Sequence, residues 1–484
     1  MKRKFSLLIA TIATLTLSNV ALAEDNNNQS LVIDEAEALA MDAQMYAQSY
    51  GVSYDEALER LTIMLYGEDA IEYVANSEVA SLAGKYYDNG ADFGLVIKTK
   101  TPKANKTITF TPKTKENYGL LNSQAKHERN EARKALHNQL KLNEQQLAKA
   151  EEKLSKPKKV NIKFQKADLT LEQLRKALNA FSEKAKNVDG YNFAFIDQKE
   201  GLINIVLSKE ISDSNKKELE SYTDVPVKFE VVKGGMHPVA SMRGGSLLYN
   251  SSSATKDTSR LCMTAFGAKH PTYGTGMVTA AHCPSTMYIL ADDGRNYALQ
   301  TSTVSRSQGT TNDEADLRFI KGSPIGVGQF YYNDTTSVRN VTGTRTRLST
   351  NINKGTTPGT YVCHLGQLYA GSTSNIQSCG EVISLDTSFS VDANNNVTGF
   401  SSTGGSFVLM RNTQSGAGTT RTVGNGTLRC FPGDSGGPIF AGTIAFGVLS
   451  SCSWLDDDKN KPVTYAIYTS VDYFNKLGVS IIVP

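Results

Sequence analysis

Apolar positions change their spacing several times along this chain, and each change marks a boundary. Between residues 24 and 120 the pattern predicts helices followed by strand. SYDEALERLTIMLYG (53–67) sets Ala57, Leu58, Leu61, Ile63, Met64 and Leu65 at a broadly helical period, with Ser53 and Glu56 in capping-box spacing. DFGLVIKTKTP (92–102) then reads as a strand. Residues 121–159 hold few apolar side chains, and their Glu and Lys at helical spacing predict an exposed helical connector with Pro157 close to its end. Acidic residues interleave throughout it, which argues against a polyanion-binding helix.

Residues 160–235 have a sharper order. VNIKFQK alternates like a strand and TLEQLRKALNAFSEKAKN is an amphipathic helix. YNFAFID and LINIVLS form a hairpin pair around QKEG, SDSNKKELESY is a short helix and VPVKFEVV a last strand. This βαββαβ succession predicts the split arrangement of a ferredoxin-like domain. From 236 to 484 Lys and Glu thin out, and Gly, Ser, Thr and Asn separate short apolar runs such as TGMVTAA, MYILA and TIAFGVLS. Many short strands with turn-rich connections predict an all-β sandwich or pair of barrels.

The chain's 484 residues suffice for two or three domains. Lys2, Arg3 and Lys4, the apolar run from Phe5 to Val20 and ALA at 21–23 together read as a secretory signal peptide over residues 1–23. Its removal takes the formal net charge from +3 to 0, which gives no reason to expect nucleic acid or an anionic membrane as partner. All six cysteines, at 262, 283, 363, 379, 430 and 452, lie in the second half. A secreted context makes disulfides the expectation, with 15 pairings open, and the absence of CxxC spacing argues against zinc.

The candidate chemistry centres on CFPGDSGGPIF (430–440). A serine nucleophile needs a general base, and that base needs an orienting group. Although Gly433 to Gly437 satisfy the nucleophile-elbow pattern, no histidine follows Ser435, and the elbow fold requires one there. Six histidines precede it. His127 and His137 sit in the charged connector, His237 at a domain junction and His270 in a hairpin-like turn. His282 ends the apolar strand GTGMVTAAHCP beside Cys283 and is the candidate base. TTNDEADLRFIKG offers Asp313, Glu314 and Asp316 as orienting acid. Asp316, directly before the strand-like LRFI, is the choice, and Asp313 comes second.

TAAHC, EADLRFI and GDSGGPIF, in that order, resemble the chymotrypsin-type serine endopeptidases, and MRGGSLLY with VCHLGQLYAGSTSNIQSCGEV is similar to the bacterial streptogrisins and α-lytic protease. The resemblance covers roughly residues 240 to 484. It implies a double antiparallel β-barrel with His282, Asp316 and Ser435 in the cleft, and an oxyanion hole at the amides of Gly433 and Ser435. It also implies disulfides Cys262–Cys283, Cys363–Cys379 and Cys430–Cys452. Asp434 is then structural, with His364 or another cation as its holder, and Ser450 and Ser451 lie on the strand that pairs with substrate. Trp454 is left open between pocket wall and surface loop; the absence of an acid just before Ser435 argues against a Lys or Arg preference and leaves apolar or medium-sized side chains. By the same resemblance residues 24–235 form an α+β pro-region that assists folding, inhibits, and is cut off between about Lys233 and Arg243. A secreted, monomeric mature enzyme acting on polypeptides without a cofactor is expected; the alternative is a barrel-fold binding or adhesion protein that has lost activity.

Overall fold

The structure, a computed structural model, describes residues 31–77, 80–101, 103–112, 143–185, 188, 190–232, 237–238, 247–249, 260–283, 287–290, 296–306, 315–321, 328–331, 337–348, 355–365, 377–390, 401–413, 428, 430, 433–454 and 463–483. The signal peptide, the first part of the connector with His127 and His137, and the acids Asp313 and Glu314 lie outside the described residues.

The first half opens with β1 (Leu31–Ile33), α1 (Glu35–Tyr50), α2 (Tyr54–Tyr66) and α3 (Glu68–Asn76), followed by β2 (Leu82–Asp88), β3 (Gly94–Thr99) and β4 (Lys106–Phe110). Asp34 starts α1 with a reciprocal capping box: its carboxylate accepts from the Glu37 amide at 2.8 Å, and Glu37 accepts from the Asp34 amide at 2.9 Å. Ser53 caps α2 through the Glu56 amide at 3.2 Å, but the Glu56 carboxylate turns forward to Arg60 instead of completing the box. α4 (Glu144–Ser155) is capped by Asn143 and Gln146. One face of this end of the connector is packed, since Ala150 and Leu154 are buried, and Lys149 and Lys153 reach Asp55 and Glu59 of α2 at 2.8 and 2.6 Å.

β5 (Lys158–Lys166), α5 (Leu171–Ala185), β6 (Tyr191–Asp197), β7 (Leu202–Leu207), α6 (Asp213–Glu220) and β8 (Val227–Val231) reproduce the predicted succession. They do not form one ferredoxin-like sheet. β5 sits between β3, parallel to it, and β4, antiparallel, in a sheet ordered β2-β3-β5-β4, while β6, β7 and β8 run on elsewhere. The physical reason lies in which cores the two faces complete. Val160 and Ile162 of β5 join Leu95 and Ile97 in the main core, whereas Ile203, Ile205 and Leu207 cover Leu174, Leu178 and Phe181 of α5 in a separate one.

After β9 (His237–Pro238) come β10 (Leu247–Tyr249), β11 (Arg260–Met263), β12 (Gly267–His270), β13 (Gly274–Thr279), β14 (Met287–Leu290), β15 (Asn296–Arg306) and β16 (Leu317–Lys321), ordered β11-β10-β14-β15-β16-β13-β12. Because β11 and β12 are the two ends of a single run, bonded to β10 at one end and to β13 at the other, this antiparallel sheet closes into a barrel. Next are β17 (Gln329–Tyr331), β18 (Ser337–Asn340), β19 (Gly343–Thr344), β20 (Tyr361–Leu365), β21 (Gln377–Ser390), β22 (Ser401–Arg411), β23 (Pro438–Ala441), β24 (Ile444–Trp454) and β25 (Val463–Ser470). The order β20-β23-β24-β25-β22-β21 is closed by β20 pairing with β21, which makes a second six-stranded barrel. A 3₁₀ helix (Val471–Leu477) and β26 (Ser480–Ile481) return to the first barrel, where β26 pairs with β12. The double antiparallel barrel is the predicted fold.

The two halves of the chain are joined far more intimately than by a linker. β1 adds parallel to β18, and β6 adds antiparallel to β21, so the β6-β7-β8 sheet extends the second barrel. One apolar core runs from Leu39, Tyr46 and Leu61 to Phe330, Val362 and Phe440. Polar groups cross as well: Tyr50 donates to Glu381 at 2.6 Å, Thr357 to Glu68 at 3.0 Å, and Arg175 meets Asp386 through two nitrogens at 2.9 and 3.1 Å.

Candidate active site

The two barrels deliver the predicted residues from opposite sides. His282 stands in the turn just past β13, and Asp316 immediately precedes β16, the neighbour of β13, so the first barrel carries both. Ser435 lies in the turn that enters β23 of the second barrel. Its carbonyl accepts from the Met263 amide at 2.6 Å, which ties the serine turn to the first barrel.

Side-chain atoms form one continuous chain. Ser435 Oγ is 2.7 Å from His282 Nε2, and His282 Nδ1 is 2.6 Å from Asp316 Oδ2. The other Asp316 oxygen accepts from the His282 amide at 3.0 Å, so this carboxylate holds both the ring and the backbone of the histidine. His282 and Asp316 side chains are 8% and 1% exposed, which keeps bulk water from competing for these bonds. Burial works against the charge on Asp316, but the imidazole of His282 and hydrogen bonds from His282 and Ser450 outweigh it, holding the carboxyl below the usual carboxylate range.

Two further groups escaped the sequence reading. Ser450, expected only on a substrate-pairing strand, donates its hydroxyl to Asp316 Oδ2. Arg318 donates to the carbonyls of Ala281, at 2.7 Å, and Cys283, clamping the backbone on both sides of His282. A period-two reading from Asp316 along its strand points to Arg318; nothing local marks the Ser450 contact. Ser451, by contrast, faces Ile467 of β25 on one side and Pro238 of β9 on the other.

Glycine is required at two places in the serine turn. Gly433 adopts φ 108, a left-handed conformation that other residues rarely take. Gly436 has φ 87, and a Cβ there would meet the Met263 carbonyl and Thr279 Oγ1 at 2.2 Å. Asp434 and His364 are both fully buried. All three implied disulfides are present. Cys262–Cys283 anchors the residue after His282, Cys363–Cys379 crosses directly paired positions of β20 and β21, and Cys430–Cys452 ties the segment before Ser435 to β24. Cys262, His282 and Cys283 bring ligand-type atoms within 4.8 Å of one another, but the two sulfurs are bonded together, so the group is no metal site. His270 is the turn residue expected, its Nδ1 accepting from the amides of Thr272 and Tyr273. The side chains of His237 and Trp454 lie outside the described residues.

Two closed antiparallel barrels thus meet at a junction where a histidine and an aspartate of one face a serine of the other. The fold is that of the chymotrypsin-like serine endopeptidases. No protein-family model matches the sequence, and no curated protein matches it. Among solved structures, a Cellulomonas bogoriensis chymotrypsin aligns with 50% of this chain and 98% of its own at 17% identity and a TM-score of 0.30. Nocardiopsis protease aligns with 50% and 99% at 19% identity and 0.31, and Thermobifida fusca protease A with 51% and 100% at 17% identity and 0.31.

Proposed function

We propose that this protein is a secreted serine endopeptidase made as a precursor, in which residues 24–235 help the barrels to fold and hold the enzyme silent until they are removed. The observation that carries the reading is the unbroken chain Ser435, His282, Asp316 at 2.7 and 2.6 Å across the barrel junction. In the reaction Ser435 Oγ attacks a peptide carbonyl carbon while His282 Nε2 takes its proton and then gives it to the leaving amine. Water hydrolyses the resulting ester by the same route in reverse. Asp316 fixes the imidazole tautomer and stabilises its cation, and Ser450 keeps that carboxylate oriented. The amides of Gly433 and Ser435 receive the oxyanion, in a turn whose glycine conformation is already set before substrate arrives.

The pro-region role is supported by the shared core and by the sheet that runs from β8 through β6 into β21. Beyond its pairing with β20, strand β21 has an edge that β6 completes, and a preformed neighbour lowers the entropy cost of closing that long-range pairing. An enzyme matured in this way keeps its fold through a high unfolding barrier. Secretion is supported by the N-terminal segment and the three disulfides, and no helix among the described residues is long and apolar enough to cross a membrane. The mature form acts on polypeptides as a monomer.

A fluorophosphonate probe applied to the processed protein tests the reading. Wild type should be labelled at Ser435 and should digest casein, while Ser435→Ala should do neither. A correctly processed wild type that takes no label and cuts no polypeptide would instead make this a binding protein on a protease fold.

A further inference from the structure

We propose that Arg318 is a positioning residue for the reaction: its guanidinium fixes the backbone of the His282 turn, so that the imidazole stays on Ser435, and its loss lowers kcat while leaving KM in place. This rests on the endopeptidase reading and adds to it a residue that acts only through His282.

His282 stands in a tight turn from Ala280 to Cys283, closed by the Cys283 amide donating to the Ala280 carbonyl at 3.3 Å. That is longer than the usual spacing of about 2.9 to 3.0 Å, so the turn's own bond is a weak support. Its other backbone groups are met from outside, by one short stretch of the neighbouring strand. The His282 amide donates to Asp316 Oδ1 at 3.0 Å. Arg318 donates from Nη2 to the Ala281 carbonyl at 2.7 Å and from Nη1 to the Cys283 carbonyl. Asp316 and Arg318 are two residues apart at the entry to β16, the spacing that puts side chains on one face of a strand. The register sets Arg318 opposite Thr279, the last residue of β13 before the turn. A carboxylate thus takes the N–H of the turn while a cation takes its carbonyls.

The planar fork of an arginine is what this contact needs. Two nitrogens of one rigid group hold the carbonyls on both sides of His282, which fixes both peptide planes together, and a charged donor makes each bond roughly twice as strong as a neutral one. A lysine ammonium is a point charge on a flexible stem and holds such planes less rigidly. The disulfide to Cys262 restrains the side chain of residue 283 and leaves those planes to Arg318. The imidazole hangs from this turn. Its Nε2, 2.7 Å from Ser435 Oγ, must keep that reach while it takes the proton and gives it back. A displacement of about 1 Å is worth roughly 10²-fold in rate. Because such a displacement weakens proton transfer and leaves the substrate groove alone, its cost falls on kcat.

The test uses the processed protein, with active sites counted by fluorophosphonate labelling run to completion, so that kcat is expressed per labelled serine. Arg318→Met should lower kcat per site by roughly 10- to 100-fold with KM within about threefold of wild type, and should slow the labelling reaction by a similar factor. Arg318→Lys should fall between the two, at least about threefold below wild type, because a single ammonium restores only part of the fork. An arginine that served folding alone would reduce the number of labelled sites while each remaining site turned over normally. A kcat per site within about threefold of wild type in Arg318→Met, or a loss carried by KM instead, therefore overturns this inference and leaves the endopeptidase standing. Should the methionine variant yield no folded protein, Arg318→Lys decides: wild-type kcat per site overturns the inference, and a lower kcat at unchanged KM supports it. A processed wild type that takes no label and cuts no polypeptide overturns both readings.

Discussion

Asp42→Ala in the uncut chain should release the N-terminal helices from the second barrel more than any other single change at that contact. Asp42 sits in α1 and Arg339 in β18, with Arg339 0% exposed. Asp42 Oδ1 accepts from Arg339 Nη2 at 3.1 Å, Asp42 Oδ2 accepts from the Gly442 amide at 2.6 Å, and Arg339 Nη1 donates to the Gly442 carbonyl at 2.8 Å. Alanine would leave a buried guanidinium without its carboxylate, a loss of about 3–5 kcal/mol. At about 1.4 kcal/mol per decade that is roughly 10² to 10⁴-fold in the opening equilibrium of this contact. Hydrogen exchange on a Ser435→Ala background, which keeps the chain intact, reads it directly, because the Gly442 amide should exchange faster by that factor while amides in α5 stay protected. Replacing both partners, as Asp42→Leu with Arg339→Leu, should restore much of the protection, since apolar isosteres carry no unpaired charge. A rise of less than about threefold at Gly442 in Asp42→Ala, well under 1 kcal/mol, would refute the view that this ion pair clamps the halves together.

Gly436→Ala should abolish fluorophosphonate labelling and depress soluble yield, because the left-handed backbone and the 2.2 Å approach of the Met263 carbonyl both forbid a Cβ; normal labelling would contradict the turn geometry. Asp316 is held below its usual titration range, so the folded chain binds fewer protons than the unfolded one in acid. Its contribution is whole above the unfolded carboxyl value, about 3.9, and fades as pH falls through the lower folded value. Asp316→Asn should therefore lower the unfolding midpoint at pH 6 and converge on wild type in strong acid, and a constant gap between the two curves would disprove the coupling. Asp434 and His364 are each buried, and we propose that the histidine holds the aspartate. His364→Arg should then extend activity to higher pH, because an arginine keeps its charge where a histidine loses it, and an unchanged alkaline limb of kcat/KM would remove His364 from that role.

Much of the site was legible because its parts carry local marks. An apolar strand ending in His282, an acid immediately before the strand LRFI, and glycines around Ser435 are each set by pleat and turn chemistry within a few residues. The chain order of histidine, aspartate and serine then excluded the elbow alternative without coordinates. Cysteine positions alone left fifteen pairings open, and only folding brought Cys363 opposite Cys379 and Cys430 onto β24. The bond from Ser450, a residue expected only on the substrate-pairing strand, to Asp316 and the role of Arg318 were missed for the same reason. Each acts through a partner distant in sequence or through backbone carbonyls that carry no residue-specific signal.

Periodicity alone determined that residues 160–235 alternate strand and helix in a particular order, since the repeat of two or of 3.6 residues is a property of each segment by itself. Which strands lie side by side was decided only in three dimensions, because a strand's partner depends on which edges stand open and which apolar faces remain uncovered once everything else has packed. β5 found that edge between β3 and β4, and β6 found it on β21, so the anticipated ferredoxin-like sheet was split between two neighbours. The buried charge of Asp42 in α1 follows the same logic, since only packing brings Arg339 and the Gly442 amide onto its carboxylate.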